Sequence, residues 1–393
     1  METVTEKIDL KSLDRSKWIS FKFEEIAQKI SKTVKPEEAE VDIYVGLEHL
    51  DGEDIHIRRK GVPYDVKGGK LRCYSGDIIF GKRRAYQRKA AIVDFDGICS
   101  AHAFVFRANP EVIDPKLFPF FLHSDEFMHR MVDISVGGLS PTINWGDLKH
   151  QEFLLPPKDQ QAQLAKLLWA MDEVIEKKIK TNEKLQASYV TTIEKELLNR
   201  KSDKLYFGDI LNVIRGVGYK PAQLLDEYDS NCCIVLRSNN ISNGLINFDE
   251  IRIVPSTLIK ESQYLIDGDF AICMSNGSKE LVGKCAEFRT SERNFSIGSF
   301  CASLRPKNEE YRQLLRHLVN SESYRVAIKR TLTGSAINNL KPSDIEELFL
   351  RVNLSSSESV LKKLDIMTKN RLQLDEAVKT SKSLQKSLIN QIF

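Results

Sequence analysis

The sequence of 393 residues lacks the long apolar segments of a membrane protein. No run of about 18 apolar residues is present, which is roughly the length that a membrane-spanning helix needs. The N-terminal residues contain no apolar core flanked by positive charge, so we expect no signal peptide. The seven cysteines are odd in number, and none of them forms a Cys-x-x-Cys pair. We therefore expect reduced, buried thiols in a cytoplasmic protein.

Motifs of catalytic and metal sites are also missing. The sequence has no G-x-x-x-x-G-K-S/T loop, which argues against nucleotide hydrolysis by a P-loop. The stretch "RGVGYKP" lacks the third glycine of a dinucleotide-binding turn, and no Asn-Pro-Pro-aromatic stretch of an amino-methyltransferase occurs. His49 and His56 have no ligand spacing with cysteines or carboxylates. The sequence therefore predicts no catalytic residue, no metal site and no bound cofactor, and it favours a recognition or scaffolding protein.

The net positive charge of the whole chain is small, but lysine and arginine are concentrated in one segment. The formal net charge is only +3, so any binding of an anion must come from local clustering. The segment "FGKRRAYQRKA", residues 80–90, carries five positive charges within eight residues. It follows the strand-like stretch "DIIF", which indicates a loop on a rigid scaffold. This pattern alone is compatible with a solvated loop, a targeting signal or a phosphate-binding surface.

The sequence repeats itself at a spacing of 199 residues. "KTNEKLQASYVTTI" (180–193) and "KTSKSLQKSLINQI" (379–392) are identical at six of fourteen positions. Upstream, "GGLSPTINWGDLKHQEFLLPP" resembles "GSAINNLKPSDIEELFLRVN", and "YSGDIIFG" resembles "IDGDFAIC". The same order along both halves indicates a duplicated unit, in which a mixed module is followed by a helix.

Two long helices are predicted from apolar residues that recur every three or four positions. Each apolar stripe is narrow and suits a similar partner, so we predict an antiparallel coiled coil. Two unrelated surface helices are the alternative. In the modules, short apolar segments predict strands, and "KLFPFFLHSDEFMHRMVD" and "EEYRQLLRHLVNSESYRVAIKR" predict closing helices. The predicted fold is α+β, with two β-rich domains (1–156 and 202–354), each followed by one of the long helices (157–201 and 355–393).

The second half has a polar loop where the first half has its basic loop. "CMSNGSKELVGKC" follows the strand-like stretch "DFAI" and is far less basic than residues 80–90. Lysine attracts phosphate without sequence preference, whereas arginine and glutamine can read base edges. Two loops alike in position and unlike in residues are what a reader of two different short sequences would need.

The whole sequence resembles the DNA-sequence specificity subunit of type I restriction-modification enzymes. The resemblance is carried by the duplicated plan and by "YVGLEHLDG", "SGDIIFGKRRAYQRKAAIVDFDGICSAHAFVF" and "GGLSPTINWGDLKHQEFLLPPKDQQAQLAKLL". It implies that each module is a target-recognition domain for one part of a split DNA site. The paired helices would then be a spacer that separates the two half-sites, and the chain itself would not be catalytic.

The resemblance also implies partners and site residues. The partners are double-stranded DNA, two methyltransferase subunits and restriction subunits, and those subunits would bind S-adenosylmethionine and ATP with Mg. The implied DNA contacts are Lys82, Arg83, Arg84, Tyr86, Arg88 and Lys89 in the first domain, and Ser275, Asn276, Lys279 and Lys284 in the second. The implied docking residues for a partner subunit are Pro156, Pro157, Gln160, Leu164 and Leu168. The segment "LRVNLSSSESV", which leads into the second long helix, differs from "LLPPKDQQAQL", which leads into the first.

Two other classes of function are open. One is a coiled-coil adaptor whose modules bind proteins without DNA specificity. The other is a nuclease that uses Asp65 and Lys67 in the loose pattern "PYDVKGGK", where a turn between strands is the simpler interpretation. DNA binding that depends on a methyltransferase separates the first class from the specificity subunit, and the nuclease requires loss of cleavage in an Asp65→Ala variant.

Overall fold

The computed structural model describes residues 15–242, 244–289, 294–333, 338–354 and 357–393. The chain divides into two compact units. Unit 1 comprises Met1–Lys180 and Asp375–Phe393, and unit 2 comprises Thr181–Leu374. Each of the two long helices therefore contributes one of its halves to each unit.

The first half of the chain contains, in order, β1 (Ile19–Lys22), α1 (Phe23–Ile26), β2 (Ala27–Ile30), β3 (Thr33–Val34), β4 (Tyr44–Val45), β5 (Lys70–Cys73), β6 (Ile78–Gly81), β7 (Ala90–Ile92), β8 (Gly97–Cys99), β9 (Ala103–Ala108), α2 (Phe118–His123), α3 (Asp125–Asp133), α4 (Trp145–Leu148), β10 (Glu152–Leu155) and α5 (Lys158–Thr192). A π-helical turn, Ile193–Leu197, follows α5.

The second half contains β11 (Lys204–Tyr206), α6 (Phe207–Ile210), β12 (Leu211–Arg215), β13 (Cys232–Leu236), β14 (Ile241–Ser242), β15 (Leu245–Ile246), β16 (Arg252–Pro255), β17 (Phe270–Cys273), β18 (Cys285–Glu287), β19 (Phe295–Ile297), β20 (Cys301–Pro306), α7 (Glu309–Leu318), α8 (Glu322–Thr333), α9 (Pro342–Glu346), β21 (Phe349–Arg351) and α10 (Ser357–Ile392).

A four-stranded antiparallel sheet, in the order β2-β9-β6-β7, lies at the centre of unit 1. Because side chains alternate between the faces of a strand, Phe80 and Phe106 enter one core, and Ile79 and Val105 enter another. The first core includes side chains of the helices, and the second lies against the sheet β3-β5-β8-β4. Burial on both faces explains why these strands appear in the sequence as continuous apolar segments.

Unit 2 repeats the central sheet in the order β12-β20-β17-β18. Cys273 pairs with Cys301 across this sheet, as Gly81 pairs with Ala103 in unit 1. The second sheet differs, because in unit 2 β13 lies between β16 and β19, whereas in unit 1 β5 lies between β3 and β8. The central sheet thus preserves the duplication, and the second sheet has diverged. The seven cysteines are all buried and free, in agreement with the prediction of buried thiols.

The two long helices run antiparallel within unit 1. Leu168 of α5 accepts a hydrogen bond through its backbone oxygen from Gln385 Nε2 of α10 at 3.4 Å. Ten residues further along α5, Lys178 Nζ donates to Ser381 Oγ at 2.8 Å. Residue numbers therefore rise along one helix as they fall along the other. Lys178 is the polar residue that interrupts the apolar stripe of α5, and its ammonium is satisfied by α10.

The same antiparallel pairing occurs within unit 2. The ring of Tyr189 lies 5.7 Å from the guanidinium carbon of Arg371. Glu196, in the π-helical turn, pairs with Lys363 Nζ at 2.6 Å. The α+β fold with an antiparallel pair of long helices, predicted from the sequence, is confirmed.

Each predicted closing helix is two helices divided by a serine. The Oγ of Ser124 accepts a hydrogen bond from the backbone N–H of Phe127 at 3.2 Å. Ser321 makes the equivalent bond with Tyr324 at 3.0 Å. A serine that satisfies a free N–H group at a helix start is a strong N-cap, so each serine begins the second helix, α3 or α8.

Both units bury an aspartate that pairs with an arginine of the neighbouring strand. Asp77 Oδ1 accepts a hydrogen bond from Arg107 Nε at 2.7 Å, and Asp269 Oδ1 accepts one from Arg305 Nε at 2.9 Å. The glycine before each aspartate has φ near +90° (90° and 88°), a conformation that glycine adopts without strain. The Gly-Asp repeat in the sequence is therefore a turn followed by a buried aspartate that pairs with a partly exposed arginine.

Among the residues described, no helix combines the length and the apolarity required to span a bilayer.

His56 makes a pH-dependent contact within unit 1. Its Nε2 lies 2.9 Å from Oδ2 of Asp172 on α5. The hydrogen bond with Asp172 raises the pKa of His56 above its ordinary value of 6.5, although partial burial opposes the shift. A histidine whose pKa is raised by folding stabilises the protein fully below the unfolded pKa. This contribution is lost as the pH rises through the folded pKa.

We expect the His56→Gln variant to have a lower Tm than the wild type near about pH 6, and we expect this difference to shrink towards about pH 8. As the pH rises towards about 8, His56 of the wild type loses the positive charge that pairs with Asp172. Differential scanning calorimetry over this pH range measures the effect. His129→Gln, which replaces an exposed histidine of the same unit, is the matched control. A difference in Tm that does not change with pH would contradict the expectation.

Candidate nucleic-acid interface

Backbone hydrogen bonds hold the basic loop of unit 1 against the loop that precedes α4. The N–H of Arg84 donates to the oxygen of Pro141 at 2.8 Å, and the N–H of Ile143 donates to the oxygen of Lys82 at 2.9 Å. Between them, Arg83 and Thr142 form an isolated β-bridge. Residues 82–84 are therefore fixed by main-chain contacts, which leave their side chains free for other roles.

A cationic cluster surrounds this loop. We define it as the cations Lys29, Lys70, Lys82 and Arg83 together with the adjacent His102, whose neutral form the nearby charges favour. Burial lowers the pKa of Lys82, and the charges of Lys29 and Arg83 lower it further. Burial also lowers the pKa of His102, with further contributions from Arg83, Lys82 and Lys70. The side chains thus repel one another, and a bound anion would relieve that repulsion.

The residues of the basic stretch have different surroundings. Arg83 and Arg84 are exposed, Lys82 is half-buried, and Tyr86 has 57% of its surface exposed. The buried side chain of Ala85 anchors the turn between them. Four of the six predicted contacts of unit 1 therefore lie at the surface or partly exposed. Whether any of them binds DNA stays a prediction.

Arg88 and Lys89 are half-buried, and their charged groups bond to other groups of unit 1, which does not support the DNA-contact role predicted for them. The guanidinium of Arg88 pairs with Glu53 at 3.0 Å and with Asp125 at 2.8 Å, and it donates to the oxygen of His123 at 2.8 Å. Lys89 Nζ donates to the oxygen of Leu47 at 2.7 Å. These contacts use the charges to hold the loop on the unit.

Unit 2 fixes its polar loop with the equivalent main-chain bonds. The N–H of Leu340 donates to the oxygen of Met274 at 2.8 Å, and the N–H of Asn276 donates to the oxygen of Asn338 at 3.4 Å. Ser275 and Asn339 form the isolated β-bridge that corresponds to the bridge of unit 1. Residues 82–84 and 274–276 are therefore equivalent positions, which we call the reading loops.

The two reading loops differ in charge at every equivalent position. The cations Lys82, Arg83 and Arg84 of unit 1 are replaced by Met274, Ser275 and Asn276. His102, in the turn before β9, corresponds to Phe300, in the turn before β20. Lys29 of β2 corresponds to Val213 of β12. The positions of unit 2 that correspond to Lys29, Lys82, Arg83, Arg84 and His102 thus carry no positive charge, although Arg237 lies beside the reading loop.

A pocket of about 560 Å³ lies beside the reading loop of unit 2. It is lined by Tyr219, Arg237, Ser238, Asn239, Ser275, Asn276, Gly277, Gly298, Ser299, Phe300 and Cys301. Of the predicted contacts of this unit, Ser275 and Asn276 belong to the pocket. Lys279 is exposed on a short 3-10 helix and Lys284 is half-buried, and neither lines it.

The sequence did not predict several residues that lie beside the two reading loops. The missed residues are Lys29, Lys70 and His102 in unit 1, and Tyr219, Arg237, Asn239 and Phe300 in unit 2. One signal was available, because "AHAF" and "SFCA" stand at equivalent places before the last strand of each central sheet. The other residues come from distant strands and turns that only the folded chain brings together.

The docking residues predicted at the first junction are mostly interior. Leu164 and Leu168 are fully buried in the first core of unit 1, and Pro156 is buried. A buried side chain offers no surface to a partner, so these three positions need correction. Pro157 and Gln160 are half-buried and stay candidates.

The glutamine that holds the junction is Gln161. Its Oε1 accepts a hydrogen bond from the N–H of Asp114 at 2.6 Å. Its Nε2 donates to the oxygens of Pro156 at 2.8 Å and Val112 at 3.0 Å. Gln161 thereby satisfies backbone groups at the start of α5, which is a structural role.

In the part of the chain that the structure describes, no group of three or more His, Cys, Asp or Glu side chains could hold a metal ion. Asp65 and Lys67 are both exposed, and Asp65 ends a 3-10 turn.

Residues 16–187 match the family described as Type I restriction modification DNA specificity domain. Over these residues, which make up less than half of the chain, the match agrees with the resemblance that the sequence indicated.

Two curated relatives support the same family. Over 171 residues the chain is 34% identical to the Type I restriction enzyme StySPI specificity subunit of Salmonella potsdam, a match that covers 42% of this chain and 37% of that protein. Over 159 residues it is 33% identical to the Type I restriction enzyme EcoKI specificity subunit of Escherichia coli (strain K12), which covers 40% and 34%. The matched segment thus spans little more than a third of these relatives.

Two solved structures resemble the whole fold. One is a structure that describes complex assembly and conformational transition of the type I R-M system. Its TM-score is 0.54 at 19% identity, and the match covers 95% of this chain and 97% of that one. The S subunit of a Type-I restriction-modification system from M. genitalium has a TM-score of 0.52 at 16% identity, with 96% of each chain covered. This likeness supports the mixed helix-and-sheet fold.

We expect the Arg88→Ala variant to be destabilised by roughly 1–3 kcal/mol, because Glu53 and Asp125 lose a charged partner and the oxygen of His123 loses its donor. The exposed neighbour gives the matched control, since Arg83→Ala should change stability by less than about 0.5 kcal/mol. Urea unfolding of both variants measures the difference. Equal stability of the two variants would mean that the contacts of Arg88 do not hold the loop.

Proposed function

We propose that this chain, which carries a type I restriction modification DNA specificity domain, is a sequence-specific DNA-binding subunit that recognises a bipartite target. It directs partner methyltransferase and restriction subunits to that target. The observation that carries the proposal is the pair of reading loops, which are fixed by equivalent main-chain bonds and differ at every side chain. Such a frame suits two readers of two different half-sites.

Unit 1 has the charge that binding to a phosphate backbone requires. Its lysines would attract phosphates without regard to sequence. Arg83 and Arg84 are exposed and can each present a planar guanidinium to a guanine edge or a phosphate. Tyr86 lies between them and the rest of the turn and would pack on the backbone sugar. Arg88 and Lys89 hold the loop in this proposal and do not contact DNA.

Unit 2 would read its half-site with neutral groups. Ser275, Asn276 and Asn239 offer hydroxyl and amide groups, and an asparagine amide can bind an adenine edge with two hydrogen bonds. Lys279 is exposed nearby in sequence and would supply a phosphate contact. The two units therefore use different balances of charge and hydrogen bonding.

The chemistry would belong to partner subunits. The chain is proposed to be non-catalytic, with S-adenosylmethionine on the methyltransferase subunits and ATP with Mg on the restriction subunits. Two methyltransferase subunits are proposed because the chain repeats the module and its helix. Pro157 and Gln160 are candidate docking residues at the first junction. A cytoplasmic location stays a prediction.

The adaptor alternative is not favoured. A protein-binding coiled coil has no need for a cationic cluster around a loop that is fixed by main-chain bonds. The family of residues 16–187 is also described by DNA specificity.

Neutralising the cationic loop tests the role of unit 1. We expect the triple variant Lys82→Ala, Arg83→Ala, Arg84→Ala to weaken DNA binding and to lower the slope of log K against log salt by about 1 for each phosphate that the variant no longer neutralises. Fluorescence anisotropy with a labelled duplex at several salt concentrations measures both. The control replaces three exposed lysines outside the cluster, Lys35, Lys116 and Lys166. An unchanged slope in the triple variant would mean that the loop does not face DNA.

Dependence on a partner tests the assignment as a subunit. Because the net charge of the chain is only +3, we expect weak DNA binding by the chain alone and tight binding with its methyltransferase subunit. The same anisotropy titration, done with and without that subunit, measures the difference. Equal affinity in the two titrations would contradict the proposal, and absence of binding in both would favour the adaptor.

A further inference from the structure

Phe300 is an exposed aromatic side chain on a rigid turn of unit 2. Its surface is 70% exposed, although it lies between two strands of the core, β19 and β20. The backbone oxygen of Phe300 accepts hydrogen bonds from the N–H groups of Met274 at 2.9 Å and Ser275 at 3.1 Å. The N–H of Cys301 closes the turn on the oxygen of Gly298 at 2.8 Å. The backbone that carries the exposed phenyl ring is therefore fixed beside the reading loop.

The pocket beside Phe300 combines this ring with polar groups. At about 560 Å³ it falls within the range of roughly 300–1,000 Å³ that is usual for small-molecule sites. Tyr219 adds a second aromatic ring to its wall, and Arg237 adds a cation. An aromatic wall with a few polar groups is the arrangement that recognises a single planar base outside a helix.

The amide of Asn276 is fixed by its neighbours. Its Nδ2 donates to Ser238 Oγ at 3.1 Å, and its Oδ1 accepts from the N–H of Ser278 at 3.0 Å. Arg237 donates from Nη2 to the oxygen of Glu250 at 3.0 Å, which leaves further guanidinium donors. Preorganised amide and guanidinium groups beside a ring can bind the polar edge of a base that stacks on the ring.

The two units differ in charge beside their reading loops, and this difference indicates why unit 2 has an aromatic side chain there. In unit 1 the position of Phe300 is taken by His102, within the cationic cluster, and attraction to phosphate can supply affinity there. Unit 2 has neutral side chains at the equivalent positions and one cation, Arg237, in the pocket, so stacking and hydrogen bonds would supply more of its affinity. Stacking of a base on an aromatic side chain contributes about 1–3 kcal/mol and requires no charge.

We infer that unit 2 takes one unstacked nucleobase of the bound DNA into this pocket, where the base stacks on Phe300 and is held by polar groups of Asn276 and Arg237. The inference rests on the proposed function and names how unit 2 reads its half-site. The base leaves the duplex stack at a cost that is smallest at flexible steps, and stacking on Phe300 offsets that cost.

The test uses the full chain together with its methyltransferase subunit. Bound duplexes are selected from a pool of random sequence, and 2-aminopurine is then placed at each position of the selected target. An unstacked 2-aminopurine fluoresces more strongly than a stacked one. We expect one position whose fluorescence changes on binding in the wild type and does not change in Phe300→Ala. A position unstacked by the methyltransferase itself would respond equally in both proteins.

Affinity gives a second, independent readout. We expect Phe300→Ala to weaken binding by about 5- to 150-fold, which is the range for loss of one base–aromatic stack. The salt dependence should not change, because no charge is removed. Phe300→Trp should retain binding. The matched control is Phe248→Ala, since Phe248 is 52% exposed in the same unit and does not line the pocket.

The possible failures are distinguishable. If the wild-type complex does not bind duplex DNA, the proposed function is wrong and the pocket has no nucleobase ligand. If the complex binds DNA and Phe300→Ala matches Phe248→Ala in affinity and in every 2-aminopurine signal, only the inference about the pocket is overturned.

Discussion

Main-chain hydrogen bonds between each reading loop and the loop before the short helix α4 or α9 determine where residues 82–84 and 274–276 lie. These bonds join backbone N–H and C=O groups, so they do not depend on which side chains the loop carries. The same frame therefore presents Lys-Arg-Arg in unit 1 and Met-Ser-Asn in unit 2. A protein that reads two unrelated short sequences with one duplicated fold needs a loop backbone whose position does not depend on its side chains.

The rest of each unit keeps that frame rigid. The central sheet is buried on both faces. A pair between a buried aspartate and an arginine joins the turn before β6 to β9 in unit 1 and the turn before β17 to β20 in unit 2. The long helices close the first core of unit 1, where side chains of both pack beside the central sheet. Surface side chains such as Arg84 and Phe300 can therefore change without disturbing the core that holds them.

The sequence predicted the features that depend on local pattern. The repeat at a spacing of 199 residues and the apolar periodicity indicated the two long helices, and the Gly-Asp pairs marked the strands β6 and β17. It did not predict which cations of the basic stretch turn inward, because Glu53 and Asp125, the partners of Arg88, lie more than thirty residues away in the chain.

The same limitation explains the other errors. Leu164 and Leu168 were assigned to a docking surface because a narrow apolar stripe does not show which element covers it. His102 and Phe300 were missed because their position beside the reading loops arises from strand pairing between β9 and β6 and between β20 and β17. Long-range pairing of this kind is not visible in a local pattern.

The central claim is that the two reading loops read separate halves of one target. Sequencing of methylated DNA from cells that express the chain with its methyltransferase subunit tests it most directly. The account predicts that Arg84→Ala relaxes one half of a bipartite methylated motif and that Asn276→Ala relaxes only the other half. A motif that is contiguous, or one in which both variants change the same half, would contradict it.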